Sequence, residues 1–162
     1  MTFTQFVLVG ASVVSLAWGG ARTIDTHTDG TASLRAVLPF DPFEWAVIAS
    51  FVDPGQKTMA TLYGNEVAVE AARSNNGPTY PAGSVLSLVT WRQRDDPDWF
   101  GARVPDVVRS VEFVELRAEG GSSSTATYAH FSHPWLGPSP ASSSEQEARI
   151  HSLLTQRASD LP

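Results

Sequence analysis

The sequence predicts an α+β domain: a mostly antiparallel sheet of four to five strands, with one inserted helix and a C-terminal helix. Three observations predict it. Short apolar runs of strand length alternate with turn chemistry from about residue 38 onward. One segment between them switches to a helical period. A capped amphipathic stretch then closes the chain.

Trp45–Val52, "WAVIASFV", is the first strand. Asp53-Pro54-Gly55 supplies a turn, and Lys57–Gly64, "KTMATLYG", returns as its hairpin partner. Asn65–Gly77 changes period, with Asn65 as N-cap, Glu66 in the first turn and Asn75-Asn76-Gly77 as the stop. Tyr80–Trp91 opens on a Pro-Ala-Gly turn and becomes a near-continuous apolar strand, a pattern typical of burial on both faces. "RQRDDPDW" reads as a charged loop around Pro97. Ser110–Ala118 is a further strand with Val111 and Phe113 on one side and Glu112 on the other. From Glu119 the composition turns Gly- and Ser-rich, then Pro- and Ser-rich, and both stretches read as loops. Ser144 and Glu147 have capping-box spacing, and Ile150, Leu153, Leu154 and Ala158 follow on one helical face over 144–158.

The remaining segments set the domain limits. Phe6–Trp18 is apolar, ends in Gly19-Gly20-Ala21, and is shorter than the ~20 residues of a membrane span. Residues 1–21 therefore read as a secretory signal peptide, although no basic residue precedes Phe6. A buried N-terminal strand is the competing reading. Residues 22–37 read as a polar linker and 38–162 as one domain. The expected location is periplasmic or otherwise exported, and once processed the chain is not an integral membrane protein.

Charge and composition exclude several functions. A net charge of −6 argues against nucleic acid, whose phosphates demand a basic patch. The absence of cysteine excludes disulfides, Cys-ligated zinc, iron–sulfur clusters and thioether-linked haem. No nucleophile elbow, phosphate-cradling glycine loop or metalloprotease motif occurs.

Ala126-Thr127-Tyr128-Ala129-His130 has the spacing of the haem-attachment motif C-x-x-C-H with alanine at both cysteine positions. His130 is thus either an axial ligand to non-covalent haem or a histidine with a local hydrogen bond. His130 and His133 also form H-x-x-H, but Pro134 pushes His133 toward an extended conformation, and no metal site is expected. Asp95, Asp96 and Asp98 lack the glycine turn and ligand offsets of a cation loop and read as solvated. Trp91, Trp99, Phe100 and Arg103 are the candidate ligand-binding residues, since aromatic rings beside an arginine suit a planar or anionic ligand. The alternative for Arg103 is a structural ion pair with Glu112 or Glu115. Arg149 and Arg157 sit on the terminal helix, and Arg157, near its apolar face, is expected to clamp the helix to the sheet through a carboxylate.

Five phrases, "PFEWAVI", "TLYGNEVAVEAAR", "YPAGSVLSLVTW", "WFGARVP" and "SVEFVE", resemble in order and spacing the cytochrome P-460 family over roughly residues 38–118. The resemblance implies a mostly antiparallel sheet with helices, commonly as a periplasmic dimer. Haem members carry C-x-x-C-H near the C-terminal end with its histidine as axial ligand. Those that oxidise hydroxylamine also bond a lysine to the haem, and the related cytochrome c-prime beta proteins bind nitric oxide. This sequence departs from that pattern. Alanines stand at 126 and 129, the Ser84–Trp91 strand has no lysine, and Lys57 is the single lysine of the chain. The ending "EQEARIHSLLTQRASDLP" resembles a branch without the haem motif. The expected function is a P-460-fold protein without covalent haem that binds a small ligand or partner in the cavity relatives use for haem, with a possible homodimer. The alternatives are a b-type haem protein with His130 as ligand, acting on hydroxylamine or nitric oxide, and a structural dimeric envelope subunit.

Overall fold

The computed structural model describes residues 38–74, 79–120 and 124–159. The signal-peptide and linker assignments, 1–37, and the Asn75-Asn76-Gly77 helix stop lie outside the described residues. Among the described residues, six antiparallel strands follow one another in a single meander, so each pairs with its sequence neighbours. They are β1 (Ala46–Asp53), β2 (Thr58–Gly64), β3 (Val85–Asp95), β4 (Arg103–Ala118), β5 (Ser124–Ser132) and β6 (Gly137–Pro138). Helix α1 (Glu66–Ala72) joins β2 to β3, and helix α2 (Ser143–Leu154) follows β6. The α+β class is as expected, but the sheet has six strands rather than four to five.

The differences have local causes. β5 occupies Ser124–Ser132, whose first half read as loop because of its Gly/Ser-rich approach. Pairing with the long β4, from Ser110↔Ser132 to Ala118↔Ser124, supplies the ladder that its own propensity does not announce. β3 and β4 likewise run further than their apolar cores: part of the segment expected as a charged loop, Gln93–Asp95, still pairs with Arg103–Pro105 beyond the bulges at Trp91.

The β2–α1 joint follows from two residues. Asn65 accepts from Ala68 N–H at 3.0 Å as the expected N-cap, accepts from Val85 N–H at 3.1 Å, and donates to Gly83 carbonyl at 2.8 Å. One side chain thus starts α1 and ties it to the start of β3. Gly64 precedes it because a Cβ there would lie 2.6 Å from Ile48 Cδ1 and 3.0 Å from Ala68 Cβ.

The terminal helix is shifted from its expected span. Ser142, not Ser144, is the N-cap, and its capping box closes with Glu145 rather than Glu147. Three consecutive serines offer several N-cap frames, and the one adopted turns Leu153 into the core and Arg149 onto the sheet. α2 stops at Leu154 rather than 158. The tail beyond it is held by Tyr80 hydroxyl donating to Gln156 carbonyl at 2.7 Å, and by Ala158 and Ser159 N–H donating to Ala72 and Ile48 carbonyls at 3.0 and 2.8 Å.

Both faces of the sheet are covered. On one, Ile48, Leu62, Leu86, Leu88, Val114 and Leu116 pack against α1 and α2. On the other, Val89, Trp91, Val111 and Phe113 pack under the segment 38–45, which folds back over the sheet. That segment ends in a 3₁₀ turn, Pro42–Glu44, capped by Asp41. Burying this alternation on two sides rather than one is what makes β3 a near-continuous apolar run.

Candidate functional site

Strand periodicity decides what the "ATYAH" segment can do. Ala126 and Tyr128 pack toward the helix-covered core, and Ala129 packs into the opposite one. His130 follows in phase with Tyr128, opposite Glu112 in the ladder. Side chains three apart on a strand face opposite ways, so cysteines at 126 and 129 would not reach one macrocycle in this conformation. The residues at this segment therefore do not fit a haem held through thioethers.

The surroundings of His130 point to structure. Glu112 is 6% exposed. Its carboxylate accepts from Tyr128 hydroxyl at 2.7 Å and from Arg149 Nε and Nη2 at 2.8 and 2.6 Å. A fork of this kind is among the stronger protein interactions and satisfies a carboxylate that burial would otherwise penalise. Burial, then the bond to Glu112, pushes the Tyr128 hydroxyl well above its ordinary pKa. Glu112 likewise raises the Arg149 guanidinium. The His130 ring lies beside Tyr128, centroids 6.5 Å apart, and its backbone carbonyl accepts from Ser139 N–H at 2.7 Å. The expected clamp of helix to sheet thus exists, but Arg149 makes it. Arg157 lies in the tail beyond α2 and is exposed.

The four candidate ligand residues are not gathered in one place. Trp91 is buried in the second core, where Phe43 stacks on it at 6.3 Å with ring planes 7° apart. Trp99 and Phe100 are exposed at the tip of the β3–β4 hairpin. Arg103 pairs with Asp95 at 3.1 Å, not with Glu112 or Glu115. Asp96 accepts from Asp98 and Trp99 N–H at 2.8 and 3.2 Å, which shapes this tip. His133 lies exposed beyond β5. Among the described residues, no three His, Asp or Glu side chains group as a metal-ligand set.

Among the described residues, two surface depressions bear on function. The larger, about 910 Å³, lies between the 3₁₀ turn and α1, lined by Glu44, Trp45, Glu66, Val69, Glu70 and Arg73 among others. The smaller, about 510 Å³, is lined by Arg92, Val107, Val108, Arg109, Ser132 and His133. Sequence reasoning missed both. Trp45 read only as the head of a strand, and the three carboxylates of the larger groove come from two elements separated by a hairpin. No contiguous motif could have announced them.

A six-stranded antiparallel meander, with helices on one face and a folded-back aromatic segment on the other, defines a small α+β sheet protein. Residues 42–149 match the family model of cytochrome P460, and the chain belongs to that family. No curated protein matches the chain. No described helix is long and apolar enough to cross a membrane.

Proposed function

We propose that this chain is an exported, haem-free member of the cytochrome P460 family that binds a small ligand without transforming it. The observation that carries this reading is the groove between the 3₁₀ turn and α1. It joins a half-buried indole, Trp45, to the carboxylates of Glu44, Glu66 and Glu70, which outnumber the one cation of the lining, Arg73. An aromatic ring beside acidic groups suits a small organic cation with an apolar portion. The aromatic sheet face is filled by Phe40 and Trp45 from the folded-back segment, which moves the binding site to that segment's edge. The Glu112–Tyr128–Arg149 network beside His130 and the absence of cysteine support the haem-free part of the proposal. The apolar run Phe6–Trp18 supports export. A homodimer would use the edge of β1 that no other described strand covers.

The test has two readouts. The protein, expressed with haem supplied, is expected to show no Soret band; a band that disappears in His130→Ala would establish the b-type haem alternative instead. Titration with benzyltrimethylammonium is expected to quench indole fluorescence saturably, and Glu70→Gln to weaken the effect. No saturable change overturns the ligand reading.

A further inference from the structure

We infer that the region where β3, β4 and β5 meet the turn after Ser132 carries a second binding site, for a small organic oxyanion held chiefly by Arg109, with Arg92 and His133 beside it. The site is the smaller depression, about 510 Å³. That is larger than a bare ion needs, and its apolar wall, Val107 and Val108, suits a carbon skeleton behind the oxyanion.

The charges are arranged for this. Acidic residues outnumber basic ones 17 to 11 in the chain, yet two arginines and a histidine line this one depression. Among the described residues Arg109 meets no carboxylate. Arg92 is held by Asp106, but both bonds, from Nε and Nη2, go to the one oxygen Oδ2. Its Nη1 edge is outside that pair. The Asp106 carboxylate thus fixes the direction of the Arg92 guanidinium while neutralising only one of the two.

The backbone brings the rest together. His133 N–H donates to Arg109 carbonyl at 2.9 Å, so the imidazole and the second guanidinium leave the chain from directly bonded residues. Ser110 faces Ser132 in the adjacent ladder position, which brings the Ser132 hydroxyl to the same wall. Guanidinium forks match the paired oxygens of a carboxylate or phosphate, and a neighbouring imidazole and hydroxyl add donors, while the Asp106 carboxylate engages Arg92 and leaves Arg109 to the ligand. The class of ligand is therefore a monocarboxylate or a phosphate monoester with an apolar tail. It differs in charge from the ligand proposed for the α1 groove, so the two readings stand or fall separately.

The full chain is titrated calorimetrically with phenyl phosphate, with benzoate and with benzylammonium. Saturable binding of phenyl phosphate or benzoate is expected, with the tighter of the two identifying the headgroup. Arg109→Ala is expected to weaken it about tenfold or more, and Arg109→Lys, which keeps the charge and loses the fork, by less. Arg117→Ala, on the far part of β4, serves as the control and leaves binding unchanged. His133→Ala gives an independent check, and each variant's circular dichroism confirms its fold. If neither anion saturates by about 10 mM, or if Arg109→Ala binds like the parent, the site does not exist. Equal binding of benzylammonium overturns it as well.

Discussion

Arg149 on α2 grips Glu112 on β4 through Nε and Nη2, one bond to each carboxylate oxygen, across 37 residues of sequence. This pair replaces the contact expected from Arg157, and it is the principal polar link between the terminal helix and the sheet. Removing only the cation would leave a nearly buried carboxylate with Tyr128 as its remaining partner. Arg149→Ala is therefore expected to cost about 2–4 kcal/mol, discounted from the fully buried case because the guanidinium is partly exposed. Glu112→Leu combined with Arg149→Met should cost much less than Arg149→Ala alone, since it leaves no orphaned charge. Urea unfolding of the three proteins measures this, and equal losses in both variants would show that the pair has no such role.

Three tyrosines predict an alkaline limit to stability, and burial raises the hydroxyl of Tyr63 among them. Burial pushes the Tyr80 hydroxyl up to about 12, and the Tyr128 hydroxyl is raised as well. The unfolded chain releases these protons near the ordinary value of 10. Below that pH both states hold them and stability is unaffected. Above it the unfolded state ionises first and gains, so stability falls from about pH 10 toward pH 12. Urea midpoints taken from pH 8 to 11 should be level at first and then drop. Tyr80→Phe should shallow the drop, while lowering stability at neutral pH by about 1 kcal/mol through loss of its bond to Gln156 carbonyl. A midpoint that rises with pH in this range contradicts the account.

Much of the fold was legible because local chemistry and tertiary structure agree at particular residues. Asn65 reads as an N-cap and is one, and "WAVIASFV" reads as a strand and is one, within a residue at each end. What escaped was chemistry supplied from a distance. β5 draws its order from β4, so its Gly/Ser-rich approach hid it. The capping frame was ambiguous because Ser142, Ser143 and Ser144 are adjacent, and the packing of Leu153 and Arg149 selects among them. The α1 groove and the Arg109 depression assemble residues from separate elements, so no spacing in the sequence announced either. The motif around His130 was legible as a likeness. Only the strand conformation reveals that positions 126 and 129 serve different cores.

Gly64 and Ile48 make a steric pair. A methyl group on Gly64 would lie 2.6 Å from Ile48 Cδ1, and Ile48 is 2% exposed, with little room to turn aside. Gly64→Ala is expected to destabilise by about 1–3 kcal/mol through overpacking. Ile48→Val removes the clashing carbon and alone should cost about 0.5–1.5 kcal/mol. The double variant should then be more stable than the sum of the two single losses, a non-additivity that thermal or urea unfolding reads directly. Strict additivity would show that the clash is relieved some other way.

β1 is the outer strand of the meander, and Val47, Phe51 and Val52 are exposed on it, Val52 at 60%. No charge or proline interrupts Ala46–Val52, although edge strands ordinarily carry such residues to prevent pairing. Ser159 N–H already occupies the Ile48 carbonyl, so the part of the edge that no described residue covers runs from Ala49 to Asp53. An antiparallel strand is self-complementary about a two-fold axis, which suits a second copy of this chain. The protein is expected to sediment as a dimer, and Val52→Lys to shift it to monomer with unchanged circular dichroism. The lysine sits on an exposed strand position and should alter the monomer's own stability by no more than about 0.5 kcal/mol. A parent chain that is monomeric at tens of micromolar, or a Val52→Lys variant that remains dimeric, would remove β1 from any interface.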